Sequence, residues 1–395
     1  MVALSGPLVV AALDHTAALG GAELALARLL DRVGDDVTTR TILFADGPLV
    51  ERLVAAGHEV EVLALSPDLA SAHRHEAGGS ALAALTKAAR TIPFAVRLGR
   101  RLRALRPDVI YTTSLKADLI GIPAAWIAQR PLVWHIHDRI SPDYLPSLLV
   151  RVIRFLARRV PHQVIVNSAA TAATLPGVRN LTIAYPGFSA DQVGPSPAAR
   201  ATPASPTVGI LGRISPTKGQ LTYVRAAAQV LAIRPDVRFR IIGAPLFSEQ
   251  DYADEVSREV HCLGIGERIE FAGFASDPAA ALDALTLCVH ASGTPEPFGQ
   301  VIVEAMIRGV PVIATRGGGV TEIVQPDPNG EPLGWLVPPN DVEALADAIL
   351  ASLEHPDEAR RRAEAAWSSA TERFPIEATV TAVSRVWHSA ATPRR

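Results

Sequence analysis

Cysteine is nearly absent: the chain has two, Cys262 and Cys288, in 395 residues. They show neither the spacing of a metal site nor a partner motif, so two reduced thiols in a reducing, cytoplasmic compartment are expected. No run of 18 apolar residues occurs, which argues against a membrane-spanning helix. The start, Met1-Val2-Ala3-Leu4-Ser5-Gly6-Pro7, lacks the basic residues of a secretion signal, and its apolar stretch reads as leading into a buried strand. Asp-x-Asp does not occur, so no divalent-cation clamp for a diphosphate is visible. A Gly-x-Gly-x-x-Gly loop after the first strand is missing too, which removes the main support for a nicotinamide enzyme.

What is present is globular. Apolar residues make up 48% and charged residues 20%, and the length suits two domains rather than one core. The net charge of −2 hides an asymmetry: residues 1–190 carry 20 Lys and Arg against 15 Asp and Glu, whereas residues 191–395 carry 18 against 25. The basic excess includes two helical stretches, Arg97-Arg100-Arg101-Arg103-Arg106 and Arg151-Arg154-Arg158-Arg159. Such a face suits either plain solvation or peripheral contact with anionic lipid, at the inner face of a membrane, or with an anionic acceptor.

Short apolar runs alternate with helical periodicity along the chain. Runs at 8–13, 39–44, 60–65, 109–112, 132–135 and 163–167 read as strands, with helices at 22–32 and 146–159 among the segments between them. That rhythm implies parallel sheets covered by helices. It breaks at 194–206, where proline, alanine and serine dominate, and restarts at 208–211, 239–242, 269–271, 287–290 and 310–313. The expected fold is α/β, with two Rossmann-like, doubly wound domains facing each other across a cleft. Residues 1–190 form an acceptor-binding domain, 191–206 a linker, 207–375 a nucleotide-sugar domain, and 376–395 a terminal helix with a return to the first domain as one option. Ligands collect at the carboxyl ends of such strands.

The segment Glu296-Pro297-Phe298-Gly299-Gln300-Val301-Ile302-Val303-Glu304 follows one of these runs. Gly299 opens a helix that stops at Gly309, and a helix start offers free N–H groups and a positive dipole end to a diphosphate. Glu304, about one and a half turns in, suits a ribose diol, and Glu296 would sit nearer the sugar. Taken alone, the same residues fit a capped helix start with a surface carboxylate equally well. His135 and His137 lie at the end of an apolar run and share a strand face, beside Asp138. They suit sugar contact, a metal, or simple hydrogen bonding at a cleft edge.

Four motifs occur in one order. Glu-x-Phe-Gly-x4-Glu-Ala at 296–305 resembles the signature of family 4 glycosyltransferases of the GT-B fold. Gly212-Arg213-Ile214-Ser215-Pro216-Thr217-Lys218-Gly219 resembles their Gly-Arg-x4-Lys-Gly loop. Gly317-Gly318-Gly319-Val320-Thr321-Glu322 resembles their Gly-Gly-x-x-Glu element, and Gly20-Gly21-Ala22-Glu23 their Gly-Gly-x-Glu helix start. The resemblance spans residues 8–375 and implies hexosyl transfer from a nucleoside-diphosphate sugar to a hydroxyl acceptor, with retention of configuration.

On that resemblance, His135, Glu296, Arg213 and Lys218 are the expected catalytic residues. Donor binding is expected from Gly20, Gly21, Gly212, Arg213, Lys218, Gly243, Glu296, Phe298, Gly299, Gln300, Glu304 and Glu322, with His137 and Asp138 in support. Arg213 and Lys218 would hold the diphosphate and neutralise the charge that develops on leaving, the work a metal does elsewhere. No metal and no cofactor are expected beyond the nucleotide sugar as co-substrate. Nucleic acid is not an expected partner. A nucleotide-sugar epimerase or hydrolase and a non-catalytic partner subunit of the same fold are the competing readings. Loops at 66–80 and 140–146 are expected to meet the acceptor, whose nature the motifs leave open.

Overall fold

The computed structural model describes residues 6–66, 81–200, 205–245 and 249–392, with the backbone alone at 81–90. Most of the expected acceptor loop at 66–80 therefore lies outside the described residues. The chain divides into two compact units, one of Met1–Gly187 with Ile376–Arg395 and the other of Phe188–Pro375.

In the first unit β1 (Leu8–Asp14), β2 (Val37–Leu43), β3 (Glu59–Val62), β4 (Val109–Thr112), β5 (Leu132–Ile136), β6 (Gln163–Val166) and β7 (Leu181–Ile183) form one parallel sheet in the order β3-β2-β1-β4-β5-β6-β7. Alternation along each strand sorts the core. Leu13, Ile110, Trp134 and Val164 face the helices Ala81–Leu105, Leu115–Ala128 and Ser147–Ala157. Val10, Tyr111, Val133 and Ile165 face Gly21–Leu30, Pro48–Ala55 and Ile376–Ala391. The last helix buries Val383, Val386, Trp387 and Ala390 there, which is why the C-terminal segment belongs to this unit although it follows the other in sequence.

In the second unit β8 (Thr207–Leu211), β9 (Arg238–Ile242), β10 (Ile269–Gly273), β11 (Leu287–His290), β12 (Val312–Thr315) and β13 (Trp335–Val337) run parallel in the order β10-β9-β8-β11-β12-β13. In each sheet the strand order reverses once, between β1 and β4 and between β8 and β11. Those switch points place the ends of β8 and β11 beside the loops that carry the signature residues.

Two differences from the sequence reading have simple causes. The strand expected at 310–313 begins at Val312, after Pro311, whose missing N–H cannot join a ladder. The Pro/Ala/Ser stretch is not a free tether through its first half. It folds into short 3-10 turns at Ala190–Gln192 and Pro197–Ala199. Gly194 N–H donates to Ile307 O at 2.8 Å, and Trp367 Nε1 donates to Gly194 O at 3.2 Å. Its prolines supply turns fixed onto the second unit; residues 201–204 lie outside the described residues.

Candidate active site

In the second unit the loop after β8 is fixed from below by one side chain. Buried Gln220 accepts from Ser215 N–H at 3.3 Å and donates to Arg213 O at 2.9 Å. Gly212 and Gly243, the residues just past β8 and β9, lie against each other: a Cβ on Gly243, at φ +148°, would overlap the Gly212 carbonyl oxygen. The loop ends in a 3-10 turn, Pro216–Lys218, that lifts Lys218 beside the Glu296 segment.

There Lys218 Nζ meets Glu296 Oε1 at 2.5 Å. Ser292 Oγ donates to the same oxygen at 2.5 Å. His290 Nε2 lies 3.2 Å away, within ion-pair range although off the line of a straight hydrogen bond. On its other edge His290 Nδ1 is 3.3 Å from Thr315 Oγ1, which donates to Ser292 O at 2.9 Å. Burial opposes ionisation of Glu296, yet Lys218 and then His290 outweigh it and hold the carboxyl well below its usual range. So Glu296 is an ionised carboxylate fixed by three side chains, two of them at or just past the end of β11. Sequence reading found Lys218 and Glu296 but missed His290, Ser292 and Thr315. The signal available was that a polar residue ending an otherwise apolar strand in such a sheet sits at the ligand edge.

The Glu296 segment is positioned by the glycine run. Glu296 and Gly318 form a parallel bridge, and Gly319 N–H donates to Glu296 O at 2.9 Å. Gly318 sits at φ +60°, and a Cβ there would overlap the Glu296 carbonyl oxygen. Gly299, at φ +112°, caps the helix Gln300–Ile307, with Gln300 as its first residue. Glu304 is half-buried on that helix; with burial first and the Glu304 charge second, the Cys288 thiol is pushed up to about 12. Glu322 lies in the first turn of Gly319–Val324 and its carbonyl accepts from Arg373 at 2.8 Å.

Arg213 and Lys218, expected on one diphosphate, each hold a carboxylate: Arg213 pairs with Glu249 at 3.2 Å and Lys218 with Glu296. Phe298 was expected to touch the donor, but it is 2% exposed and packs edge-on against Phe374, ring centres 5.5 Å apart. Its conservative role in the motif is core packing that fixes the turn between Glu296 and Gly299.

In the first unit Gly20 caps the helix Gly21–Leu30 and accepts from Leu24 N–H at 2.9 Å. Beside that turn the ends of β1, β4 and β5 hold a buried polar cluster. The Tyr111 hydroxyl hydrogen-bonds Nδ1 of His135, and the Tyr111 ring lies edge-on to Trp387 at 5.1 Å. The His135 and His137 rings lie 4.0 Å apart. Burial, then the neighbouring His137, holds His135 well below its ordinary range, and burial brings His137 down to about 4 against the pull of Asp138 and Asp14. Both rings are therefore neutral. His135, expected to serve the sugar, lies within β5, 4% exposed and turned onto Tyr111, whereas His137, just past the strand, is half-buried. Asp138 accepts from Tyr144 at 3.1 Å.

Three buried groups here went unnoticed in the sequence. Asp14 accepts from Thr113 Oγ1 at 2.6 Å and pairs with His15 at 3.2 Å. Against its burial, His15 and these hydrogen bonds hold it below the usual carboxylate range. Asp118 shares a 2.5 Å hydrogen bond with Thr112, and its burial carries its carboxyl well above that range. The Tyr111 hydroxyl is raised likewise, by burial and then by Asp118 and Asp14. Among the described residues, no three His, Cys, Asp or Glu side chains converge as metal ligands.

With this geometry in view, comparison with known proteins is direct. Residues 198–368 match the glycosyl transferases group 1 and residues 49–192 match glycosyltransferase family 4. The crystal structure of Anabaena HepE in complex with UDP-glucose superposes with a TM-score of 0.82 and 30% identity, over 97% of this chain and 100% of that one. Phosphatidyl-myo-inositol mannosyltransferase of Mycobacterium leprae is 28% identical over 356 residues, 87% of this chain and 91% of the relative. Lipopolysaccharide core biosynthesis mannosyltransferase LpsB of Rhizobium meliloti is 28% identical over 333 residues, 75% of this chain and 91% of the relative. Two Rossmann-like units of the GT-B class, with the signature loops at the switch point of the second, define a nucleotide-sugar-dependent glycosyltransferase. The chain belongs to family 4 of these enzymes.

Proposed function

We propose that the enzyme transfers a hexosyl residue from a nucleoside diphosphate to a hydroxyl of a lipid-borne acceptor, with retention of configuration and without a divalent metal. The observation that carries this reading is the Lys218–Glu296 pair, a cation and an ionised carboxylate held 2.5 Å apart beside the Gly299 helix start. A diphosphate arriving at the helix start meets the dipole and the Lys218 ammonium, which stabilise the charge that grows on its departing oxygen. Glu296, relieved of Lys218, accepts hydrogen bonds from sugar hydroxyls while Ser292 and His290 keep it in place. Glu304 takes the ribose diol. Arg213 reaches the outer phosphate by exchanging Glu249 for it.

In the first unit, the hydrogen-bonding role moves from His135 to the neutral ring of His137. Among the described residues no side chain stands out as a covalent nucleophile, so displacement on the same face as the leaving phosphate is the route proposed. The UDP-glucose of the HepE complex and the mannosyl transfer named for the two bacterial relatives support UDP-glucose and a nucleoside-diphosphate mannose as the first donors to try, and the inositol lipid in one of those names supports a lipid acceptor. Calorimetric titration of UDP, GDP, ADP and dTDP with their common sugars identifies the donor. Proton NMR of the product then reads the anomeric configuration, and turnover in excess chelator is expected to match turnover without it. An inverted product refutes retention, and activity lost in chelator and restored by Mg²⁺ refutes metal independence.

A further inference from the structure

Among the described residues, no helix is long and apolar enough to cross a membrane. One helix nonetheless shows water a face that belongs against something apolar. Ser147–Ala157 buries Val150, Ile153 and Ala157 in the core of the first unit. On the opposite side Leu148 is 67% exposed, Val152 41% and Phe155 58%. At 100° per residue these three fall within one narrow stripe along the helix. Leu115–Ala128, in the same helical layer, adds Trp126, 82% exposed.

The charge around that stripe has one sign. From residue 144 to residue 190 the chain contains five arginines and no Asp or Glu. The four on or next to the helix divide by task. Arg154 is drawn inward, its guanidinium donating to Thr174 O at 2.8 Å and Ile140 O at 2.9 Å. Arg151, Arg158 and Arg159 are exposed, and Arg159 lies over the Phe155 ring, 5.7 Å from its centre. Arg158 spends one N–H on Pro176 O. The nearest carboxylate before the helix, Asp143, is already paired with Arg139 at 2.7 Å. The other arginine-rich helix differs: Arg101 pairs with Glu61, Arg97 donates to Ala64 O, and among its described side chains no comparable apolar stripe accompanies them.

We propose that Ser147–Ala157 is an interfacial anchor that lies in the headgroup region of an anionic bilayer. Leu148, Val152 and Phe155 enter the acyl boundary, and Arg151 and Arg159 meet lipid phosphates. An apolar stripe edged by arginine without acidic residues is the composition that such a surface selects, because apolar burial and phosphate attraction act on the same helix. The anchor deepens the lipid-acceptor reading by saying how the enzyme reaches its acceptor, but vesicle binding requires neither donor nor transfer.

The test is sedimentation of the full chain with vesicles of phosphatidylcholine, with and without phosphatidylglycerol. The expected result is binding to the anionic vesicles that weakens with salt. Replacing Leu148→Gln, Val152→Gln and Phe155→Gln together lowers partitioning by about a hundredfold. Arg151→Gln with Arg159→Gln lowers it by about thirtyfold on anionic vesicles only. Unchanged thermal unfolding and nucleotide titration keep these variants interpretable. A wild-type chain that stays in the supernatant with both vesicle types overturns the proposal. So does a triple variant that sediments fully, or a wild-type dimer that the triple variant makes monomeric without any vesicle binding. Nucleotide binding that fails while vesicle binding holds would refute the transferase site and leave the anchor standing.

Discussion

The Glu296 site of the second unit and the β4–β5 end of the first solve the burial of polar groups in opposite ways. At the end of β11 the second unit pairs opposite charges: Lys218, with His290 3.2 Å from the same oxygen, holds Glu296 ionised against its burial. At the ends of β4 and β5 the first unit shifts groups toward their neutral forms: burial raises Asp118 and Tyr111 and lowers His135 and His137, while Asp14 at the end of β1 keeps its charge beside His15. The physical lesson is that a buried ionisable group needs either a partner or a shifted titration, and the choice predicts the ligand. A paired site exchanges partners with a charged ligand such as a diphosphate. A neutral site offers hydrogen bonds to uncharged hydroxyls and excludes ions.

The largest effect expected from breaking the contrast is at Lys218. Lys218→Ala removes the cation that a diphosphate would meet, and kcat/KM is expected to fall about a thousandfold, read by initial rates of nucleotide release. A loss under tenfold would mean that the pair with Glu296 is structural. Glu296→Gln follows, with kcat down about a hundredfold and KM changed less, because the neutral amide still accepts from Ser292 but no longer holds Lys218. The same variant sharpens the stability side. Glu296 has a lowered titration, so its contribution is present above the ordinary carboxylate range and disappears as pH falls through its folded value. Thermal unfolding of Glu296→Gln is expected to lose that acid-side dependence.

His137 tests the neutral side. With its ring at about 4 in the fold against 6.5 unfolded, the unfolded chain binds the extra proton between those values. Stability is then expected to rise as pH goes from about 4 to 6.5, by on the order of 2 kcal/mol, and His137→Asn is expected to flatten that rise. Denaturant titrations across the range read it directly. An unchanged slope would show that His137 is solvated and charged.

This contrast was only half visible in the sequence. Strand runs, the restart of the rhythm after the proline-rich stretch, and the two glutamates of the 296–304 segment could all be read, because apolar periodicity and glycine placement are local signals. Lys218 was found because its loop has a fixed spacing. Ser292, His290 and Thr315 were not, since what joins them is adjacency of β11 and β12 in the sheet, and adjacency is not written along the chain. Phe298 misled for a related reason: a motif reports that a residue type is needed without saying whether it faces ligand or core. His135 and His137 share a strand face, and only the position of the strand end separates the ring locked on Tyr111 from the ring beyond it.

The smallest expected effect is the most discriminating. Thr112 Oγ1 lies 2.5 Å from Asp118 Oδ1 and 3.2 Å from Val133 O, and a hydroxyl has one proton to give. If Asp118 is protonated, its own O–H donates to Thr112, which donates onward to Val133, and the chain of hydrogen bonds closes. If Asp118 is ionised, Thr112 must serve it and Val133 O is left short. Asp118→Asn places an N–H where the carboxyl proton would be, so stability near pH 5 is expected to stay within about 0.5 kcal/mol of the wild type. Because the folded titration is raised, the wild type loses stability as pH rises from the ordinary carboxylate value through the folded one, and the amide does not. The variant is therefore expected to gain on the wild type toward pH 8 in paired urea titrations. A variant that instead falls further behind at pH 8 would show an ionised carboxylate, a second buried charge in the first unit beside Asp14.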